Sequence, residues 1–122
     1  MTLPPFAPSD IYRGACYLVD MNPPRRSKPG KVRPVVVIQS DDVLKADSPS
    51  VVVVPMSTQL RSANILRVRV FPSKSLRLSQ ESDLLLDQVH TIDRSLFLEY
   101  LGDLPVETFE RVEHGVKFLL DF

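Results

Sequence analysis

Two runs of mostly β-branched residues, 35–38 (VVVI) and 51–56 (VVVVPM), constrain what this chain can fold into more than any other feature. Each is shorter than the roughly 10 residues a buried helix needs, and neither shows the apolar–polar alternation of a half-exposed strand. They therefore read as strands buried on both faces. Such strands need cover above and below, and the remaining sequence supplies candidates. Residues 12–20 are aromatic and apolar residues of strand type and stop at the turn signal Asn22-Pro23-Pro24. In residues 65–71, Leu66, Val68 and Val70 share one face while Arg67 and Arg69 share the other, the pattern of a half-exposed strand. Shorter strands are expected at 83–86 and 89–92, then a helical turn near 95–100. Phe109, Val112, Val116 and Leu119 recur at steps of three and four, and Pro105 suits a first turn that Asp103 or a neighbour can cap. A terminal amphipathic helix over 105–120 follows, slightly weakened by Gly115. Segment 40–50 (SDDVLKADSPS) reads as a polar connector, and 23–31 (PPRRSKPGK) as a long exposed basic loop. The expected fold class is mainly β with helices (α+β): a small SH3-like barrel of bent antiparallel sheet carrying a C-terminal amphipathic helix.

With 122 residues, 43% of them hydrophobic, the chain can build one core and is too short for two ordinary domains. The expected division is an irregular, proline-rich arm at 1–10 and one domain at 11–122. The start lacks a secretory-signal pattern and no apolar run approaches the roughly 20 residues of a membrane span, so a soluble, cytoplasmic protein with no membrane contact is expected. The lone Cys16 cannot form an intrachain disulfide, agrees with a reducing compartment, and alternates with apolar neighbours in a way that suggests core packing. With two histidines and no clustered carboxylate motif, no metal site and no cofactor are expected. Formal net charge is zero, but its placement is lopsided. Arginines and lysines crowd residues 25–80 against Asp41, Asp42 and Asp47, and acids dominate after residue 80. A neutral protein can thus carry a local site for a polyanion.

The order RGACYLVDMNPP, KVRPVVVIQSD, VVVVPMSTQ, LLLDQVHTID and a closing amphipathic helix resembles the MazF/PemK/Kid family of toxins over nearly the whole chain after residue 10. Each block alone is weak; all of them in the family's order, at plausible spacings, carry the resemblance. It implies a homodimer of SH3-like barrels, the toxin of a type II toxin–antitoxin pair, and metal-independent, sequence-selective cleavage of single-stranded RNA, mRNA in particular. It also implies a cognate antitoxin with an acidic or disordered tail, with DNA contacted only indirectly through that antitoxin. Arg33 matches the family's active-site arginine. Ser57 stands where a threonine is usual, and Asp87 and Gln88 match an acid and a glutamine near the substrate. Lys28 replaces a common glutamate and His90 a common arginine, departures that bear on sequence preference and rate.

These residue types suit the chemistry. RNA carries its own nucleophile in the 2′-hydroxyl, so a protein need only help remove its proton, stabilise the phosphorane and protonate the leaving 5′-oxygen. Arg33 offers a permanently charged donor fork for the non-bridging oxygens. Ser57 can donate to phosphate or orient the 2′-hydroxyl, or merely satisfy a strand end. Asp87 can accept the 2′-hydroxyl proton, hold Arg33, or be a surface carboxylate. Phosphate contacts are expected from Arg25, Arg26, Lys28 and Lys31, with Arg67 and Arg69 as a second charged edge, and RNA contacts from Gln88 and His90. Tyr12 and Tyr17 are expected to pack in the sheet, and His114 to have no function. Two rival readings remain: a non-enzymatic gyrase poison of the CcdB kind, disfavoured because its C-terminal tryptophan has no counterpart in a chain without tryptophan, and an inactive binding module of the same fold.

Overall fold

A computed structural model describes residues 10–21, 31–62 and 64–122. Most of the proline-rich arm and the basic-loop residues Arg25, Arg26 and Lys28 lie outside the described residues. The elements run β1 (Ala15–Asp20), β2 (Val32–Val37), α1 (Asp41–Lys45), β3 (Ser50–Ser57), β4 (Arg67–Val70), β5 (Ser82–Leu85), β6 (His90–Asp93), β7 (Phe97–Asp103) and α2 (Val106–Leu120). One antiparallel sheet of seven strands follows the path β4-β5-β3-β2-β1-β7, with β6 also pairing β3. The architecture is the expected mainly-β fold of bent antiparallel sheet with a C-terminal helix, and the sheet is open. Its far edges, β4 and β7, do not pair; the Leu76↔Gly102 bridge and the Arg77 N–H donating to Leu101 O (2.9 Å) tie the segment after β4 to β7.

The valine runs behave as their composition dictates. Val35, Val36 and Val37 of β2 and Val51, Val53 and Val54 of β3 are fully buried. Because side chains alternate, the sheet has two apolar faces. Cys16, Val36, Val54, Met56, Val68, Val70 and Leu84 pack with Val112 of α2 on one face, flanked by Phe109 and Val116. On the other, Tyr17, Val19, Val35, Val37, Val51, Val53, Ile92 and Phe97 lie with Ile11 and with Leu44 of α1. Burial in the first cluster pushes the Cys16 thiol up to about 12, so it is an inert core group.

Four local expectations change. The connector contains α1, whose N-cap Ser40 accepts from the Asp42 N–H. The turn near 95–100 is a short 3-10 helix at Arg94–Leu96 followed by β7. There the local spacing of Leu96, Phe97, Tyr100 and Leu101 imitates a helix, and two register shifts against β1 reproduce that spacing on a strand. Helix α2 has Pro105 as its N-cap with no side-chain cap; Asp103 instead accepts from Tyr100 Oη at 2.8 Å and from Tyr12 Oη. Leu119 is 38% exposed and Tyr12 40%, so neither belongs to the core, whereas Tyr17 does.

Candidate functional site

Strand β2 pairs with β3 as Val37↔Val53, Val36↔Val54 and Val35↔Pro55, and there the ladder stops. Continuing the same register for two residues sets Arg33 across from Ser57. Pro34, which has no N–H to give, follows the last pair and suits a place where the ladder ends. A cleft of about 620 Å³ opens at this parting, lined by Leu18, residues 31–34, residues 56–59, Leu78, Ser79 and Ser82. Its lining residues include the cations Lys31 and Arg33, the hydroxyl residues Ser57, Thr58 and Ser79, the amide residue Gln59, and Ser82, whose hydroxyl donates to Gln80 O; no carboxylate lines it among the described residues. Such a lining favours an oxyanion-rich ligand.

Alternation assigns Arg33 and Ser57 to the same face of the sheet, and the registers extend that row. Ser57 pairs with Asp83 on β5, and Asp83 with Arg69 on β4. Arg69, Asp83, Ser57 and Arg33 therefore stand in line across four strands. The two ends of the row differ electrostatically. Arg69 donates from Nε to Asp83 Oδ1 at 2.6 Å and from Nη1 to Glu81 at 3.1 Å, and Arg67 donates to Asp83 Oδ2 at 3.0 Å. Arg33 has no carboxylate or hydrogen-bond acceptor among the described residues. Among the described residues, its guanidinium is the uncommitted one of the three.

Ser57 Oγ accepts the Gln59 N–H at 3.1 Å. The hydroxyl thus satisfies the strand end and is held by it, while its own proton stays free to be donated. Lys31 is exposed on the cleft wall, and its carbonyl accepts from the Met21 N–H at 2.9 Å, fixing the chain as it enters β2.

Asp87, Gln88 and His90 are placed elsewhere. Strand β3 changes partner between Val53↔His90 and Met56↔Leu84, and the turn between β5 and β6 leaves the sheet at that gap. The turn stands level with Val54 and Pro55, about 7–10 Å along β3 from Ser57 at the rise of a strand. All three side chains are exposed and none lines the cleft. His90 Nδ1 lies 2.6 Å from Gln88 O; a carbonyl oxygen can only accept, so Nδ1 carries a proton and donates it there. The structure thus brings Lys31, Arg33 and Ser57 together and leaves Asp87 and Gln88 on a separate turn, with His90 at the start of β6 beside it.

Sequence reasoning did not single out Asp83, nor Thr58, Gln59, Ser79 and Ser82 of the cleft. For Asp83 a signal exists: two arginines on one face of β4 call for a carboxylate on the strand beside them. The register that makes Asp83 that carboxylate comes from the fold.

Residues 12–120 match the family model described as "PemK-like, MazF-like toxin of type II toxin-antitoxin system". Among solved structures, the chain resembles the Mycobacterium tuberculosis toxin MazF-mt6 with a TM-score of 0.71 at 19% identity, over 88% of this chain and 97% of that one. It resembles MazF from Deinococcus radiodurans with a TM-score of 0.70 at 18% identity, over 90% and 96% of the two chains. A mycobacterial endoribonuclease in complex with its cognate antitoxin gives 0.71 at 19% identity, over 90% and 94%. At these identities the structural likeness speaks for the fold, and the family match over nearly the whole length speaks for kinship. The chain belongs to the PemK-like, MazF-like family of toxins of type II toxin–antitoxin systems.

Proposed function

We propose that this toxin is an endoribonuclease that cleaves single-stranded RNA without a metal, by attack of a ribose 2′-hydroxyl on the adjoining phosphate. The observation that carries the reading is the cleft at the end of the β2–β3 ladder, where an uncommitted Arg33 and an oriented Ser57 face a volume free of carboxylates. The scissile phosphate lies between them. Arg33 donates to the non-bridging oxygens and stabilises the charge that grows on them in the phosphorane. Ser57 donates its hydroxyl proton to the same group. Lys31 holds a neighbouring phosphate, and the hydroxyls of Thr58 and Ser79 line the path of the strand.

No carboxylate or imidazole among the described residues of the same protomer lines the cleft, so solvent water gives the leaving 5′-oxygen its proton and the proton acceptor for the 2′-hydroxyl comes from outside the protomer. We assign it to Asp87 of a second copy in a homodimer, with Gln88 and His90 touching RNA on the same turn. Asp87 supports this by being exposed, unpaired with any arginine among the described residues, and outside its own protomer's cleft. The same cleft suits the acidic tail of a cognate antitoxin, which would inhibit by occupying the RNA's place.

The test is incubation of the purified protein with a long transcript in EDTA. Fragments ending in cyclic phosphate and 5′-hydroxyl are expected, and RNA that stays intact at high protein concentration refutes the reading. Arg33→Ala is expected to lower the cleavage rate at least about 100-fold with an unchanged circular dichroism spectrum; a wild-type rate refutes the assignment. Mixing inactive Arg33→Ala with inactive Asp87→Asn is expected to restore about a quarter of the wild-type activity per dimer site in a shared-site homodimer, because mixed dimers hold one intact site. No recovery refutes a site shared between protomers, and an active Asp87→Asn places Asp87 outside the reaction.

A further inference from the structure

The wall of the cleft that carries Ser57, Thr58 and Gln59 continues into a loop with no regular structure of its own, yet three of its backbone groups are held from beneath. The Arg61 N–H donates to Asp83 Oδ2 at 3.1 Å. Arg67 Nη1 donates to Gln59 O at 3.0 Å and Arg69 Nη2 to Arg61 O at 2.9 Å, while both guanidinium groups are anchored on the same Asp83. Asp83 is 1% exposed and pairs with Ser57 in the ladder. Burial alone would raise its pKa; the hydrogen bonds from Arg69, the Arg61 N–H and Arg67 outweigh that and hold it below the usual carboxylate value. Both oxygens of this carboxylate are thus directed at arginine side chains or at the loop.

We infer that Asp83 is a positioning residue for the RNA cleft: through Arg67 and Arg69 it fixes the backbone from Ser57 to Arg61, and it withholds those two arginines from the RNA. The inference rests on the RNA reading of the cleft. It sets Arg33 apart as the cation that meets substrate and makes Arg67 and Arg69 part of the wall's support, where the sequence suggested phosphate contacts. A shift of about 1 Å at a reacting group is enough to slow a reaction on the order of 100-fold, so a loosened wall should be read in turnover.

The experiment compares the full-length protein with Asp83→Asn, which keeps shape and removes charge, and Arg69→Lys, which keeps charge and removes the fork. In Asp83→Asn the Arg61 amide should exchange its hydrogen at least about 10-fold faster, while the Val36 and Val53 amides keep their protection. Single-turnover cleavage should fall about 10- to 100-fold. RNA affinity should hold or rise at low salt, with a steeper salt dependence by about 0.7 per released arginine that finds a phosphate. Arg69→Lys should show the loss of rate without the steeper salt dependence. A role confined to stability predicts a lower melting temperature with wild-type cleavage and salt dependence by the folded protein, and that result overturns the proposal. Unchanged exchange at Arg61 also overturns it. Should the wild type cleave no RNA, the functional reading fails on that control, and the Arg61 amide still decides whether Asp83 holds the loop.

Discussion

Gly102 and Gly14 sit on the β1–β7 edge with φ of +137° and +87°, in the region that L side chains rarely adopt. Their surroundings differ. A Cβ on Gly102 would overlap the carbonyl of Ser75, at the bridge where Leu76 meets β7, whereas a Cβ on Gly14 would meet nothing within 4 Å. Gly14→Ala should therefore cost only the left-handed backbone, about 1–2 kcal/mol, and Gly102→Ala that strain plus a backbone displacement, about 3–4 kcal/mol. Urea unfolding of the two variants checks the difference, and equal costs would show that the Ser75 segment yields freely. Neither glycine announces this in the sequence. The Arg13-Gly14 pair marks the start of a strand, but the close approach at Gly102 exists because a segment 26 positions earlier crosses over it.

At the scale of elements, the docking of α2 on the sheet depends on a glycine that propensity alone counts as a defect. A Cβ on Gly115 would press into Leu86 Cδ1, and Leu86 is fully buried. Gly115→Ala gains about 1 kcal/mol of helix propensity and must displace a packed side chain to do so. The substitution is expected to destabilise the wild type by about 1 kcal/mol and to stabilise a Leu86→Ala background, a coupling of about 1–2 kcal/mol in a double-mutant cycle. Additive effects would mean that α2 simply moves away. The other fastening is Arg13, which bonds Ile38 O and Glu113 and stacks 5.0 Å from the centre of the Phe109 ring. Here the sequence was legible in part. Periodicity located α2 and three of its four contact residues, since a packed helix repeats its contacts at 3.6 residues. It misplaced Leu119, which lies in the exposed last turn of the helix, and it read β7 as a helical turn, because bulges create helix-like spacing on a strand.

The molecule as a whole has a stability range set by the buried Asp83 on β5 and by the tyrosine cluster of Tyr12 and Tyr17 beside β1 and β7. Asp83 has a folded pKa below its unfolded value, so its contribution is complete at neutral pH and is lost as the pH falls below about 4. Burial raises the phenols of Tyr12 and Tyr17, and the hydrogen bond to Asp103 raises Tyr12 further. Their contribution is complete below about pH 10 and is lost as the pH rises beyond it. Melting temperatures measured against pH should form a plateau with a fall at each end, and Asp83→Asn should flatten the acid limb while lowering the plateau. An acid limb unchanged in that variant would place the titrating group elsewhere.

The sequence by itself determined six of the seven strands, the terminal helix, most of the apolar residues of both sheet faces, and the presence of an arginine before one buried strand and a hydroxyl after the next. These are local properties, written in side-chain period and β-branching, and they emerge in any fold that buries the two valine runs. Tertiary structure decided which charges are free. Arg33, Arg67 and Arg69 are alike as residues on strands, but the registers β4–β5 and β3–β5 bring a buried Asp83 to two of them and leave the third facing an open cleft. Register joins segments far apart in the chain, and the electrostatic fate of a side chain depends on that joining rather than on its neighbours in sequence.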